Sequence, residues 1–276
     1  MENIIDEKTQ KRLNVFKLMR QAFLIPEKVY GPQRELALHS IRTSVRREIS
    51  GLNAEIIQID VTNRGWVKLV LEGEDAEAAK NFLDHKYGSI YELDSLYPGM
   101  VLKGKLVDPT KFGHGIYVDI GLLSVKKDAF IPLYTLRKQL VNNIRKPLRK
   151  ITDNFALVEN FPLEIKIRNI DKATYNIEAE LSESQINIFE EWIKSLLDRI
   201  IICGATRQQV RKAIIKSGHL QDILSIDRLG LLEHAVVCKY GTEAPGMISE
   251  IGEFLPKVPM KGFLPKVIKA FIETKH

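Results

Sequence analysis

Phe112-Gly113-His114-Gly115-Ile116-Tyr117-Val118-Asp119-Ile120-Gly121 is the stretch whose reading decides the fold. After the Phe-Gly pair, Ile116, Val118 and Ile120 alternate with Tyr117 and Asp119, and glycines bound the run on both sides. Alternation with period two describes a strand with one face in a core and the other turned outward. Tyr117 and Asp119 fall on the outer face.

Further strand-like segments surround it in order. Pro98-Gly-Met-Val-Leu-Lys-Gly-Lys-Leu-Val107 precedes it and Asp128-Ala-Phe-Ile-Pro-Leu133 follows. After a basic connector come Pro162-Leu-Glu-Ile-Lys-Ile-Arg-Asn-Ile-Asp171 and Tyr175-Asn-Ile-Glu-Ala-Glu-Leu-Ser182. This succession resembles the S1 motif, a five-stranded β-barrel of the OB class: a Gly-hydrophobic first strand, an FG…FVD(I/L)G second strand and a final V.V..ID….I.LS pair. The resemblance covers residues 96–184. It implies an RNA-binding surface in which Tyr117 and Phe112 stack bases, and Lys103, Lys105, Lys111, Lys166 and Arg168 track phosphates. His114 lies beside the binding loop and is expected to contact RNA. The plain alternative for Phe112 and Tyr117 is packing against a neighbouring domain. Two departures bear on base recognition: Pro132 stands where the family often carries a histidine, and His114-Gly115 is inserted before Ile116.

The insertion at 134–155 carries Arg137, Lys138, Arg145, Lys146, Arg149 and Lys150, with no acid from Ala129 to Thr152. Cations without counter-charges repel one another, so a polyanion contact is expected there, against the alternative of a solvated helix.

Working outward, Arg34 to Ser50 repeats Leu38, Ile41, Val45 and Ile49 at helical spacing, and Arg42 and Arg46 form a basic stripe on another face. Glu55–Val61 and Trp66–Leu71 read as a hairpin around Asn63-Arg64-Gly65, and Glu74–Tyr87 as a helix ending before Gly88. Residues 1–33 give no clear element. Beyond the barrel, Ser184–Arg199 reads as an amphipathic helix and Thr206–Lys216 as a second, with Arg207, Arg211 and Lys212 as secondary RNA-contact candidates. Strand-like Ile223–Ile226 and His234–Lys239 follow, then a Gly241–Gly246 turn, a short helix to Phe254, an extended Leu-Pro-Lys-rich stretch and a last short helix. The expected class is α+β multidomain: a small N-terminal α/β domain (1–95), the central barrel (96–184) and a C-terminal α/β domain (185–276). Over its whole length the chain is also similar to an uncharacterised archaeal family marked by the GEDAEAA segment (73–79), the barrel and the GTEAPG turn (241–246).

With 276 residues, hydrophobic residues at 45% and no apolar run of membrane-spanning length, the chain reads as a multidomain soluble protein without a secretory leader. Cys203 and Cys238 lack CxxC spacing, which fits a cytoplasmic setting rather than a zinc knuckle or disulfide scaffold. The formal charge of +6 favours an anionic partner, and only residues 51–96 are acidic, with 4 basic against 9 acidic side chains. No HExxH, GxSxG or P-loop is present, so no catalytic residue, metal or cofactor is expected.

The function expected is non-catalytic binding of structured RNA through phosphate contacts in a ribosome- or translation-associated factor. Its partners would be ribosomal RNA and ribosomal subunit proteins, with no membrane. The alternatives are an accessory subunit of an exosome-like or transcription complex and, last, a nuclease or RNA-modifying enzyme. The oligomeric state is left open, a homodimer included.

Overall fold

The computed structural model describes residues 19–88, 90–122 and 126–274. The described residues divide into two compact units, 19–25 with 38–88, and 26–37 with 90–122 and 126–274. Among the described residues no helix is long and apolar enough to cross a membrane.

The smaller unit is built on a three-stranded sheet in the order β1-β3-β2, from β1 (Met19–Lys28), which runs on into the larger unit from Pro26, β2 (Glu55–Val61) and β3 (Trp66–Gly73). β2 and β3 form the expected hairpin, closed by Gly65 N–H donating to the Thr62 carbonyl at 2.9 Å. Helices α1 (Arg34–Glu48) and α2 (Ala76–Tyr87) supply the core residues Ile41, Val45, Ala79 and Leu83. Sequence reading had no element for β1. Its Phe23 and Ile25 are buried at alternate positions, but a mixed apolar and basic context hides so short an alternation.

In the larger unit, β4 (Val101–Val107), β5 (Gly115–Asp119), β6 (Ala129–Pro132), β7 (Pro162–Asp171) and β8 (Asn176–Leu181) close a barrel in the order β4-β5-β6-β8-β7. β6 and β8 pair parallel and the other neighbours antiparallel. Leu102, Leu106, Ile116, Val118, Ile131, Leu163, Ile165, Ile167, Ile177 and Ala179 fill the interior, as period-two alternation requires. Between β6 and β7 the basic insertion folds into α3 (Leu133–Leu140) and α4 (Leu148–Asn154), whose Leu136, Leu140, Leu148, Ile151 and the following Phe155 join the same core.

Beyond the barrel, α5 (Glu183–Ser195) begins at Ser182, whose hydroxyl accepts from Gln185 N–H at 3.0 Å. It ends at Leu196, in the left-handed conformation at φ 57°. The expected continuation to Arg199 is corrected: residues Arg199–Cys203 form strand β9. Arg199 folds back on the helix end, donating to the Leu197 carbonyl at 2.8 Å and stacking over Trp192. The C-terminal sheet runs β10-β11-β9-β12 and is antiparallel throughout, with β10 (Ile223–Arg228), β11 (Glu233–Cys238) and β12 (Met260–Phe263). β9 is buried on both faces. Ile200 and Ile202 face α6 (Arg207–Lys216) and α7 (Ala244–Glu253), while Ile201 and Cys203 join the barrel core. A strand covered on both sides has no polar face to reveal its period, which is why the sequence concealed it. The stretch expected to be merely extended before the last helix, α8 (Pro265–Glu273), contributes β12.

Candidate functional site

Register places the barrel's outward side chains in rows. One row runs Val107, Tyr117, Phe130, Glu178 across β4, β5, β6 and β8. Tyr117 and Phe130 lie directly opposite each other, their ring centroids 4.9 Å apart. The loop before β5 adds Phe112, edge-on to Tyr117 at 5.2 Å, and His114, 5.2 Å from Phe130. His114 Nε2 lies 3.3 Å from the Tyr117 hydroxyl. These four rings form one surface cluster, and the Lys111 ammonium stands 5.3 Å above the Phe112 ring. Phe112 is 38% exposed, so the cluster is open to solvent.

Gly115 makes the cluster possible. A Cβ there would collide with the Ile131 carbonyl oxygen and with the Phe130 ring, whose Cζ would be 2.7 Å away. The Phe130 ring therefore packs against the bare backbone of Gly115. Sequence reading missed Phe130, although the signal existed: Ala129 and Ile131 point inward, so the residue between them points out.

An adjacent row has the opposite fate. Lys105 and Asp119 are partners in the β4–β5 ladder and also point out of the barrel, but both are buried. The Lys105 ammonium donates to Glu233 Oε2 on β11 at 2.6 Å, and the Tyr30 hydroxyl donates to Glu233 Oε1 at 2.6 Å. Lys28 reaches Asp119 at 3.3 Å, and Asp119 also accepts from Gly121 N–H at 3.0 Å. Glu27 accepts from Leu231 N–H at 3.1 Å. Burial raises the Glu27 carboxyl above its ordinary value. At Lys105 burial works to lower the ammonium, but the Glu233 and Glu27 carboxylates outweigh it and the net direction is upward. The expectation that Lys105 tracks a phosphate is thereby corrected, because its charge is consumed inside the protein.

The insertion divides in the same way. Lys138, Arg145, Arg149 and Lys150 are exposed. Lys146 is buried, donates to the Thr274 carbonyl at 2.8 Å and lies over the Phe271 ring, which withdraws it from the set of phosphate contacts. Arg137 is half-buried and donates to the Lys146 carbonyl at 2.8 Å, so it braces the insertion. Of the other candidates, Lys103 is exposed on β4, and Lys166 is half-buried opposite Glu180. Arg168 stands between Glu178 and Glu180 at 3.9 and 3.7 Å. Arg207, Arg211 and Lys212 are exposed on α6, across the C-terminal sheet from the barrel. Arg42 and Arg46 lie on α1. Among the described residues no group of three or more His, Cys, Asp or Glu side chains is placed to hold a metal ion.

Solved structures similar to the chain include the uncharacterized protein MJ1198 from Methanocaldococcus jannaschii, at 12% identity over 32% of this chain and 96% of that one, with a TM-score of 0.22. A chain of the a/eIF2alpha–aDim2p–rRNA complex from Pyrococcus horikoshii matches at 13% identity over 45% of this chain and 64% of that one, with a TM-score of 0.25. A Vaccinia virus protein matches at 11% identity over 32% and 89%, with a TM-score of 0.21. No curated protein matches. Family models named DUF2110 N-terminal, central and C-terminal domain match residues 23–93, 96–193 and 197–259 in the order of the chain. The chain belongs to the DUF2110 family.

Proposed function

We propose that this protein binds RNA, without catalysing a reaction on it, and that its barrel is of the S1 type within the OB class. The observation that carries the reading is the open cluster of Phe112, His114, Tyr117 and Phe130 on β5, β6 and the preceding loop. Aromatic side chains left at the surface of a barrel's second and third strands are platforms for unpaired bases. Lys111 beside them supplies a phosphate contact. The sequence reading put the weight on phosphate capture. The geometry shifts it toward base stacking, with Lys138, Arg145, Arg149 and Lys150 as a separate phosphate-binding surface suited to structured RNA.

Within this reading the protein is a cytoplasmic, ribosome- or translation-associated factor. The rival is an accessory subunit of an exosome-like or transcription complex. Sedimentation of lysate with ribosomal subunits supports the former, and co-purification with exosome or polymerase subunits overturns it.

The binding test is fluorescence anisotropy with short unpaired RNA. Tyr117→Ala and Phe130→Ala should each weaken binding by about 1–3 kcal/mol, the worth of one stacked base. Arg149→Ala with Lys150→Ala should reduce the slope of log affinity against log salt by roughly 0.7–0.9 for each phosphate no longer neutralised. Unchanged affinity in both aromatic variants would overturn the site.

A further inference from the structure

We infer that Glu178 makes the aromatic site selective for an unpaired guanine. The inference rests on the RNA-binding reading and names the base that the site prefers.

Glu178 is the next member of the row after Phe130: the two are Cα partners in the parallel β6–β8 pairing. Its chain neighbours Ile177 and Ala179 are buried in the barrel, so its carboxylate lies on the same outer face as the Phe130 ring. The carboxylate is held in place. The Tyr134 hydroxyl donates to Oε1 at 2.6 Å, and the Arg168 guanidinium stands 3.9 Å from the same oxygen. Both contacts fall on Oε1, and Arg168 is shared with Glu180 at 3.7 Å, so neither acid is closely neutralised. The side chain is 37% exposed, within reach of a ligand.

A carboxylate in that position repels phosphates. A site meant only to track the backbone would not fix one at the edge of its stacking platform. What it can do is accept hydrogen bonds, two at each oxygen, from the edge of a base stacked on Phe130. Single-stranded bases expose their Watson–Crick edges to such readers. Guanine alone presents two parallel N–H donors there, at N1 and at the exocyclic amino group, and these match the two carboxylate oxygens. Adenine and cytosine each offer an amino group beside a bare ring nitrogen, which would set a lone pair against a carboxylate oxygen. Uracil offers a single N–H between two carbonyls, with the same penalty. Oε1 can keep Tyr134 and still accept one guanine N–H, while Oε2 accepts the other.

The test measures the affinity of the full chain for U-rich RNA octamers that differ only in one central A, C, G or U. The guanine octamer should bind tighter than the rest by about 5- to 150-fold, the range of a good bidentate contact. Replacing that guanine by inosine, which lacks the amino group, should remove most of the advantage with the protein untouched. Glu178→Gln should abolish the guanine preference, since an amide offers one donor beside one acceptor and suits adenine or cytosine instead, whereas Tyr117→Ala should weaken all four octamers alike. Equal affinities that still depend on Tyr117 would overturn the guanine selectivity and leave RNA binding standing. A guanine preference that survives Glu178→Gln would overturn the role of Glu178. Failure of every octamer to bind would overturn the RNA-binding reading on which the inference rests.

Discussion

Replacing Lys105 by Met keeps the length and much of the volume of the side chain but removes the ammonium that neutralises Glu233. Glu233 is fully buried and Lys105 is 4% exposed, so water cannot take the ammonium's place. The carboxylate would keep only the Tyr30 hydroxyl at 2.6 Å. Removing one member of a buried ion pair typically costs about 3–5 kcal/mol, because the orphaned charge has lost its solvation and gained nothing. For a cooperative unit of this size that corresponds to a fall in Tm of roughly 6–20 °C. Urea titration followed by circular dichroism measures the loss. The triple variant Lys105→Met, Glu233→Leu, Tyr30→Phe removes the charge and both of its partners together, leaving only Glu27, which burial already holds toward its neutral form, and it should recover most of the stability. A Lys105→Met cost below about 1 kcal/mol, or a triple variant no better than the single, would show that packing rather than an orphaned charge sets the energetics of this cluster.

Two further outcomes follow from the same geometry. Burial, then the charges of Arg228 and Arg207, hold the His234 imidazole down at about 4 against an ordinary 6.5. The unfolded chain takes up this proton from pH 6.5 downward while the folded chain resists until about pH 4. The contribution of His234 is therefore complete above pH 6.5 and falls by about 3 kcal/mol on the way to pH 4. His234→Leu should flatten that part of the stability–pH curve, and an unaltered slope would rule out His234 as its source. Gly115→Ala should cost about 1–3 kcal/mol, since its Cβ must displace the Phe130 ring or the Ile131 carbonyl. On the proposed RNA-binding reading it should also weaken binding as Phe130→Ala should, and a variant with normal stability and binding would contradict the close approach.

The barrel was legible because its strands obey local rules: Ile116, Val118 and Ile120 alternate, and glycines mark the ends of the run. The β2–β3 hairpin and α6, with its Thr206–Gln209 capping box, were legible for the same reason. β9 was not, because Arg199-Ile-Ile-Ile-Cys203 is apolar on both faces and carries no period. At the candidate site, Tyr117 and Phe112 could be named from pattern. Phe130 needed only the alternation rule applied to the next strand. The burial of Lys105 could not be read, because its partner is 128 positions away and Lys103, two residues before it on the same face, is exposed. In a strand the side chain's direction is local information, but what covers it is tertiary.

The rings of Phe161 and Phe155 from the barrel side, Phe189 and Trp192 from α5, and Phe263 from β12 form a continuous series, each 5.2–6.2 Å from the next. On this side apolar interior thus passes from the barrel into the C-terminal sheet, beside the buried Lys105–Glu233 ion pair. Such a barrel is not a portable module. Excised at Ser184, it would leave Phe155 and Phe161 facing water in place of Phe189, and a fragment with that bare patch invites self-association. The inheritable piece is larger than the motif, so duplication or transfer of this aromatic surface has to carry the C-terminal sheet with it.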